Sequence, residues 1–397
     1  MAMNKNFLAL ASAIIWAAAG NAASPVHDRV IEYAPAPGQF VNIMPEWEEG
    51  DDANAMANKA HAATSEGGIS LGAYGGYVVV GFDHTVVNVA GERDLYIEGN
   101  MHSGGSEPGV VMVAYDINGN GLPDENEWFE IRGSEYDNSI LDYECTYYRP
   151  ENDDDDIRWT DNQGGEGYVR RNAAHQQPYW PQWLTDSKTL VFRGTRLPDN
   201  GIDQSGNGTY FVLSPFDYGY ADNVPNIDGG SWNEGAKIDI DWAVDAKGNE
   251  VKMPGVDFVK IYTGVNQYNG WIGENSTEVC RVADAHVTRE GSSPVLDETV
   301  AIDQSVLDAF LAKYGGSVAV PGIDGGNGNL RVYLDRATGC VNFDAPAAGV
   351  AQVFNQSGIM LYSGTFSPGK NTIELCSYPA GIYLVRIDEK TTKILKL

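Results

Sequence analysis

The chain is short of cations and of cysteines, and beyond its first residues it has no long apolar run. Against 55 acidic residues stand only 26 lysines and arginines, a formal charge of -29. A field of that sign repels polyanions, so nucleic acid and anionic membrane surfaces are excluded as partners, while calcium, cationic ligands and neutral glycans are compatible. The six histidines are scattered, with no paired spacing for zinc. A G-x-S-x-G elbow, an H-E-x-x-H helix and a phosphate-cradling glycine loop before a helix are all missing. After residue 22 nothing approaches the roughly 20 apolar residues that a membrane-spanning helix needs.

What is present points to an all-β fold. Gly 46, Tyr 21 and Trp 9 against modest charge describe a loop-rich, aromatic protein of the kind found outside cells, and 397 residues suffice for one large β-domain and a small one. Lys5, the apolar stretch Phe7 to Ala19 and the small residues of Gly20-Asn21-Ala22 read as a secretory signal peptide, which places the mature chain at the outer cell surface or beyond it. The lipoprotein route is closed because no cysteine follows that signal. In an exported chain the even set Cys145, Cys280, Cys340 and Cys376 predicts two disulfides. Four cysteines allow three connectivities. The last two fall in a separate C-terminal segment, so the expected pairs are Cys340 with Cys376 and Cys145 with Cys280.

The stretch richest in chemistry is Val110 to Ile131, VVMVAYDINGNGLPDENEWFEI. Numbered from Asp116, it puts Asn118 at position 3, Asn120 at 5, Gly121 at 6, Leu122 at 7, Asp124 at 9 and Glu127 at 12. Calcium is a hard cation that takes roughly six to eight oxygens, and this spacing supplies side-chain oxygens at 1, 3, 5, 9 and 12 with a backbone carbonyl at 7. Gly121 allows the sharp turn. The flanks are β-formers, and Pro123 cannot donate to the short ladder that pairs two such loops, so the reading is a solitary calcium loop joining two strands. The plainer alternative is an Asn/Gly/Asp-rich hairpin turn that binds nothing.

Elsewhere Asp51 caps an expected helix to about Ala63, and strands are expected at Tyr77 to Phe82 and Asp94 to Ile97. A short helix at Ser305 to Tyr314 and the Gly-rich PGIDGGNGN form a connecting segment. Short strands then follow at Leu330 to Leu334, Gly349 to Phe354, Ile359 to Thr365, Thr372 to Leu375 and Ile382 to Ile387. The expected organisation is a signal peptide over 1–22, a β-sandwich over 23–287, a linker region over 288–329 and a small β-sandwich over 330–397.

The ordered motifs SLGAYGGYVVVGFDHTVVN, GERDLYIEGN, EPGVVMVAYDINGNGLPDENEWFEI, GTRLPDNG, IDIDWAVDAKGNEV and VDFVKIYTGVN resemble a family of Bacteroidetes cell-surface proteins. The resemblance covers about Ile31 to Val287 and implies a jelly-roll sandwich similar to galactose-binding-type domains. Some members of that family are encoded near cobalamin-uptake genes, which implies vitamin capture as one candidate role. VFNQSGIMLYSGTF, YPAGIYLVRI and KTTKILKL resemble the C-terminal sorting domain of type IX secretion, which implies contact with that machinery; Cys340 and Cys376 depart from its usual pattern.

Four other constellations carry weaker signals. Asp153 to Asp156 is a dense acidic run, best read as a solvated loop. DNGIDQSGNG, Asp199 to Gly208, reads as a plain polar loop. Asp239 and Asp241 in IDIDWAV would share one face of a strand, as a glycan-cleaving enzyme requires of paired carboxylates. Tyr179, Trp180 and Trp183 in HQQPYWPQW are the candidate ligand-binding residues: exposed, they form a stacking platform for sugar rings or a corrin; buried, they are core anchors. Tyr218, Tyr220, Tyr268 and Trp271 lie in similarly Gly-rich loops. The sequence thus predicts an exported surface protein with a structural calcium ion that binds a glycan or a captured nutrient such as a cobalamin. The rivals are a calcium-dependent glycan-cleaving enzyme and a purely adhesive protein.

Overall fold

Period-two apolar alternation builds the central sheet. In the strand Tyr77–Val87, Val80 lies opposite Val259, which lies opposite Val113; Val78, Ile261 and Val111 form the next row. All six side chains are fully buried. β-branched residues stacked in such rows suit a pleated surface, and burial of each contributes about 1.5–3 kcal/mol. The computed structural model describes residues 24–224, 235–290 and 293–315, and then 332–335, 340–345, 347–355, 360–375, 378, 381–387 and 390–396.

The central sheet runs Arg29–Ala34, Tyr77–Val87, Gly255–Thr263, Gly109–Ala114, Trp128–Ile131, Ala243–Val244, with Tyr220–Ala221 added on Gly109–Ala114; every pairing is antiparallel. One face packs on short strands, among them Leu95–Glu98, Arg281–Asp284 and the pair Ile69–Ser70 with Glu278–Val279, through Leu95, Ile97, Ile69, Val279 and Val282. Against the other face lies a sheet of four strands, Thr189–Arg196, Ile140–Tyr148, Ile157–Asp161 and Glu166–Val169, with an aromatic core of Tyr74, Tyr143, Tyr147, Trp180 and Phe192. The molecule is therefore all-β and sandwich-like, as composition predicts. The strand from Tyr77 outruns its expected end at Phe82 because Val86 and Val87 still pair with Val256 and Gly255.

Helix α1 (Ala53–Ala63) is capped by Asp52, whose side chain accepts the Ala55 amide. Asp51, the expected cap, instead accepts the Glu48 amide and pairs with Lys59 at 2.7 Å. Helix α2 (Gln304–Tyr314), capped by Asp303, buries Phe310 against Tyr115 and Phe129. Expected inside a linker, it is in fact part of the large core, because Phe310, Leu311 and Tyr314 lie on one helical face. In the C-terminal part, Val341, Phe343, Val353, Ile373, Leu375, Tyr383 and Val385 form a separate cluster. It lies between the sheet Val332–Asp335, Cys340–Ala345, Gly369–Glu374 and the sheet Met360–Phe366, Gly349–Asn355, Gly381–Ile387, Lys390–Lys396. Cys340–Ala345 is a strand that the sequence reading missed, although its alternating Val341, Phe343 and Ala345 carried the signal.

The expected bond between Cys145 and Cys280 is not formed: both are free thiols. Cys145 is buried in the aromatic core under the four-stranded sheet, whereas Cys280 lies on the opposite layer with its sulfur against Gly67 and Gly68. Burial pushes both thiols up to about 12, so neither is a nucleophile at neutral pH. Cys340 faces Glu374 across its strand pair, and Cys376, like the signal segment 1–22, lies outside the described residues.

Candidate metal centres

The loop from Asp116 to Glu127 closes a hairpin between Gly109–Ala114 and Trp128–Ile131, in register from Met112 opposite Glu130 to Ala114 opposite Trp128. Gly119 and Gly121 take φ of 68° and 75°, which turns the chain back over its own acids. Asp116 accepts the amides of Asn120 (2.9 Å) and Gly121 (2.7 Å), Asn118 accepts that of Asn120, and Asn120 accepts that of Leu122. The side-chain amides of Asn118 and Asn120 both donate to Asp124. Glu127 is fully buried, and its two oxygens accept the Ile117 and Asp124 amides at 3.0 Å. These bonds link positions 1, 3, 5 and 9 to one another and hold Glu127, at position 12, on the Ile117 and Asp124 amides, but the oxygens of Asp116, Asp124 and Glu127 do not all come within 4.8 Å of one another. An ionised carboxylate has about four acceptor sites, so these hydrogen bonds orient the oxygens without exhausting them. Burial raises the Glu127 carboxyl to about 8, reinforced by the charges of Asp116 and Asp124 and opposed by the two amides.

A second acidic centre is assembled from three distant segments. Glu107 precedes Gly109–Ala114, Asp222 follows Tyr220–Ala221, and Glu278 begins Glu278–Val279. Pairing of Tyr220 with Val110 and Ala221 with Gly109 brings the first two together, and the Glu107 amide donates to the Asp222 carbonyl. Asp222, held at φ 49°, accepts the amides of Asn100, Met101 and Glu278. A Cβ on Gly99 would come within 2.2 Å of its Oδ1, so only glycine permits that approach. Glu107 accepts the Ser276 amide, and Glu278 accepts the Ser276 hydroxyl. One carboxylate oxygen from each of the three lies within 4.8 Å of the others, and Asp222 and Glu278 are 1% and 3% exposed. No ion pair among the described residues neutralises any of them. Burial raises all three carboxyls, and mutual repulsion adds to the shift for Glu107 and Glu278. An all-oxygen donor set of this kind suits a hard divalent cation.

The sequence could not pair these residues, since they stand more than fifty positions apart. Its one local hint was ENSTE, Glu274 to Glu278, a polar run in which every residue is buried.

The remaining candidates sort differently. Tyr179, Trp180 and Trp183 are 1%, 1% and 9% exposed, so they are core anchors and not a ligand platform. Tyr179 packs beneath the Arg171 guanidinium, and Trp183 stacks on Tyr33. The prolines that suggested an open loop instead fold it inward, where Asn42 holds the Pro178 and Trp180 carbonyls. Asp239 and Asp241 do not alternate on a strand: Asp239 caps the short turn Ile240–Trp242 and accepts the Asp241 amide. Each is also matched to a cation, Asp239 to Arg93 at 2.7 Å and Asp241 to Lys252 at 3.0 Å. Asp203, in the Asp199 to Gly208 loop, accepts the Ser205 and Gly208 amides at an exposed hairpin end. No helix among the described residues is long and apolar enough to cross a membrane.

Compared with known proteins, the chain matches no protein-family model and no curated protein.

Proposed function

We propose that the chain is an exported cell-surface binding protein whose sandwich is braced by calcium in the Asp116–Glu127 loop and by a second hard cation at Glu107, Asp222 and Glu278. The observation that carries this reading is Glu127: a carboxyl removed from water, held by the Asp124 amide in the same loop as Asp116, and driven above its ordinary range by burial and like charge. A bound cation offsets that cost where protein amides alone do not. The role is structural, because the loop closes a hairpin of the central sheet and the ion would fix that edge. The resemblance to Bacteroidetes surface proteins with a jelly-roll domain and a secretion-sorting tail supports export and display. A glycan or a captured nutrient such as a cobalamin is the proposed ligand. The cation-matched state of Asp239 and Asp241 supports binding over glycan cleavage.

The test is calorimetric melting of the mature protein with about 10 mM calcium, roughly one hundred times the dissociation constant of about 10⁻⁴ M common in extracellular modules, and again with chelator. That excess stabilises by about 2.7 kcal/mol per site. Two sites shift the melting temperature by about 10–20 °C, at roughly 2–4 °C per kcal/mol. An unchanged melting temperature defeats the proposal.

A further inference from the structure

We infer that a surface cleft built around Trp271 binds a neutral saccharide; the inference rests on the binding-protein reading and gives it a location and a ligand class. The short turn Gly270–Ile272 holds Trp271 with 67% of its surface in water, the most exposed large apolar side chain among the described residues. The turn itself is fixed. Asn172 donates to the Trp271 carbonyl at 2.8 Å, Gln39 to the Ile272 carbonyl at 2.6 Å, and the Asn269 amide to Gly273 at 2.8 Å. Gly270 and Gly273, at φ of 63° and 97°, permit that geometry. An indole displayed on a rigid turn loses little freedom when a ligand stacks on it.

Beside it lie Tyr268, Arg170 and Arg171, and together with Asn172, Ala173, Gly270 and Gly273 they line a cleft of about 170 Å³. Arg170 sits between the rings of Tyr168 (5.7 Å) and Tyr268 (5.9 Å), and both tyrosines are 46% exposed. Its guanidinium has only a 3.4 Å contact with Asp156 and is half in water. Arg171, by contrast, is committed to the carbonyls of Gln176 and Gln177 and to the face of Tyr179.

These features narrow the ligand. Arg170 repels a cation, while the chain's charge of -29 disfavours a polyanion. Flat aromatic faces beside guanidinium, amide and phenol groups match a ring with an apolar C–H face and hydroxyl edges. The volume lies below the roughly 300–1,000 Å³ of pockets that enclose a drug-sized ligand, so the cleft matches the size of a single sugar ring more closely than that of a corrin. The site also replaces Tyr179, Trp180 and Trp183, which the fold has buried.

The experiment screens the full mature chain, with calcium present, on an array of neutral and anionic glycans. The best neutral binder is then titrated into wild type, Trp271→Ala, Arg170→Ala and the remote surface control Val191→Ala. The expected result is a neutral ligand whose affinity falls at least tenfold in Trp271→Ala and severalfold in Arg170→Ala, with melting temperatures unchanged and the control binding normally. Undiminished neutral-glycan binding by Trp271→Ala overturns the cleft assignment while leaving the binding-protein reading intact. Preference for anionic glycans, or no neutral glycan retained at millimolar concentration, overturns the ligand class. The calcium-dependent melt judges the metal sites separately in every case.

Discussion

The Asp116–Glu127 loop and the Glu107, Asp222, Glu278 cluster are both rich in acidic side chains, yet they are built in opposite ways: only in the cluster do three carboxylates come within 4.8 Å of one another. In the loop, twelve consecutive residues wrap themselves: glycine turns and side-chain-to-amide hydrogen bonds between near neighbours position nearly every donor. In the cluster no donor is placed by its own neighbours alone. Sheet pairing of Tyr220–Ala221 with Gly109–Ala114 and the buried ENSTE run bring the three together. The loop is thus a local object that the fold partly buries, whereas the cluster exists only as long as the fold does. Hydrogen bonds orient the carboxyls of both, while in the second burial, with mutual repulsion added for Glu107 and Glu278, disfavours the charged forms.

This contrast can be broken most directly at Asp116. Asp116→Ala removes the acceptor for the Asn120 and Gly121 amides together with the first ligand of the proposed calcium site. It should cost about 4 kcal/mol in calcium: about 2.7 from the lost ion and the rest from the uncapped amides, comparable to a lost helix cap of about 1–2 kcal/mol. The amide part should persist in chelator. Melting under both conditions separates the two, and a variant that melts like wild type in calcium refutes the loop as a site.

Stability should also depend on pH through Glu127. Glu127 is raised from an ordinary value of 4.5 to about 8. Its contribution in the absence of a cation is therefore present in full below about 4.5 and is lost as pH rises through about 8. In chelator, wild type should lose melting temperature between pH 5 and pH 8 relative to Glu127→Gln. With calcium, that difference should shrink or reverse. Parallel slopes for the two proteins in chelator would show that Glu127 does not carry the buried charge assigned to it.

The smallest effect tests the cluster. Glu278→Gln keeps the side-chain shape and removes a buried carboxyl whose charged form is disfavoured by burial and by Glu107 and Asp222, so in chelator at alkaline pH it should stabilise by about 1 kcal/mol. It should also lose roughly half of the calcium-dependent shift expected from two equal sites. Destabilisation in chelator would mean that the three carboxyls hold one another through shared protons instead of repelling.

Trp180 and Trp271 make the limits of sequence reading concrete. Both stand in loops marked by Pro, Gly, Asn or Gln, yet one is 1% exposed and the other 67%. Nothing in their local composition separates them. Burial of Trp180 follows from the four-stranded sheet closing over it, and exposure of Trp271 from a turn fastened by Asn172 and Gln39, which come from distant parts of the chain. The same holds for Asp239 and Asp241, where a strand pattern gives way to a capped turn that Arg93 and Lys252 stabilise.

By itself the sequence determined whatever depends on neighbours in the chain. Valine-rich alternation sets strands, Asp303 caps α2, and the D-x-N-x-N-G spacing wraps a loop, because hydrogen bonds and backbone preferences act over a few residues. Only the tertiary structure decided which aromatics meet water, which cysteines stay unpaired and which carboxylates converge. Those outcomes depend on sheet order and on which layer covers which, and segments as far apart as Glu107, Asp222 and Glu278 acquire their electrostatics from one another only after folding has brought them together.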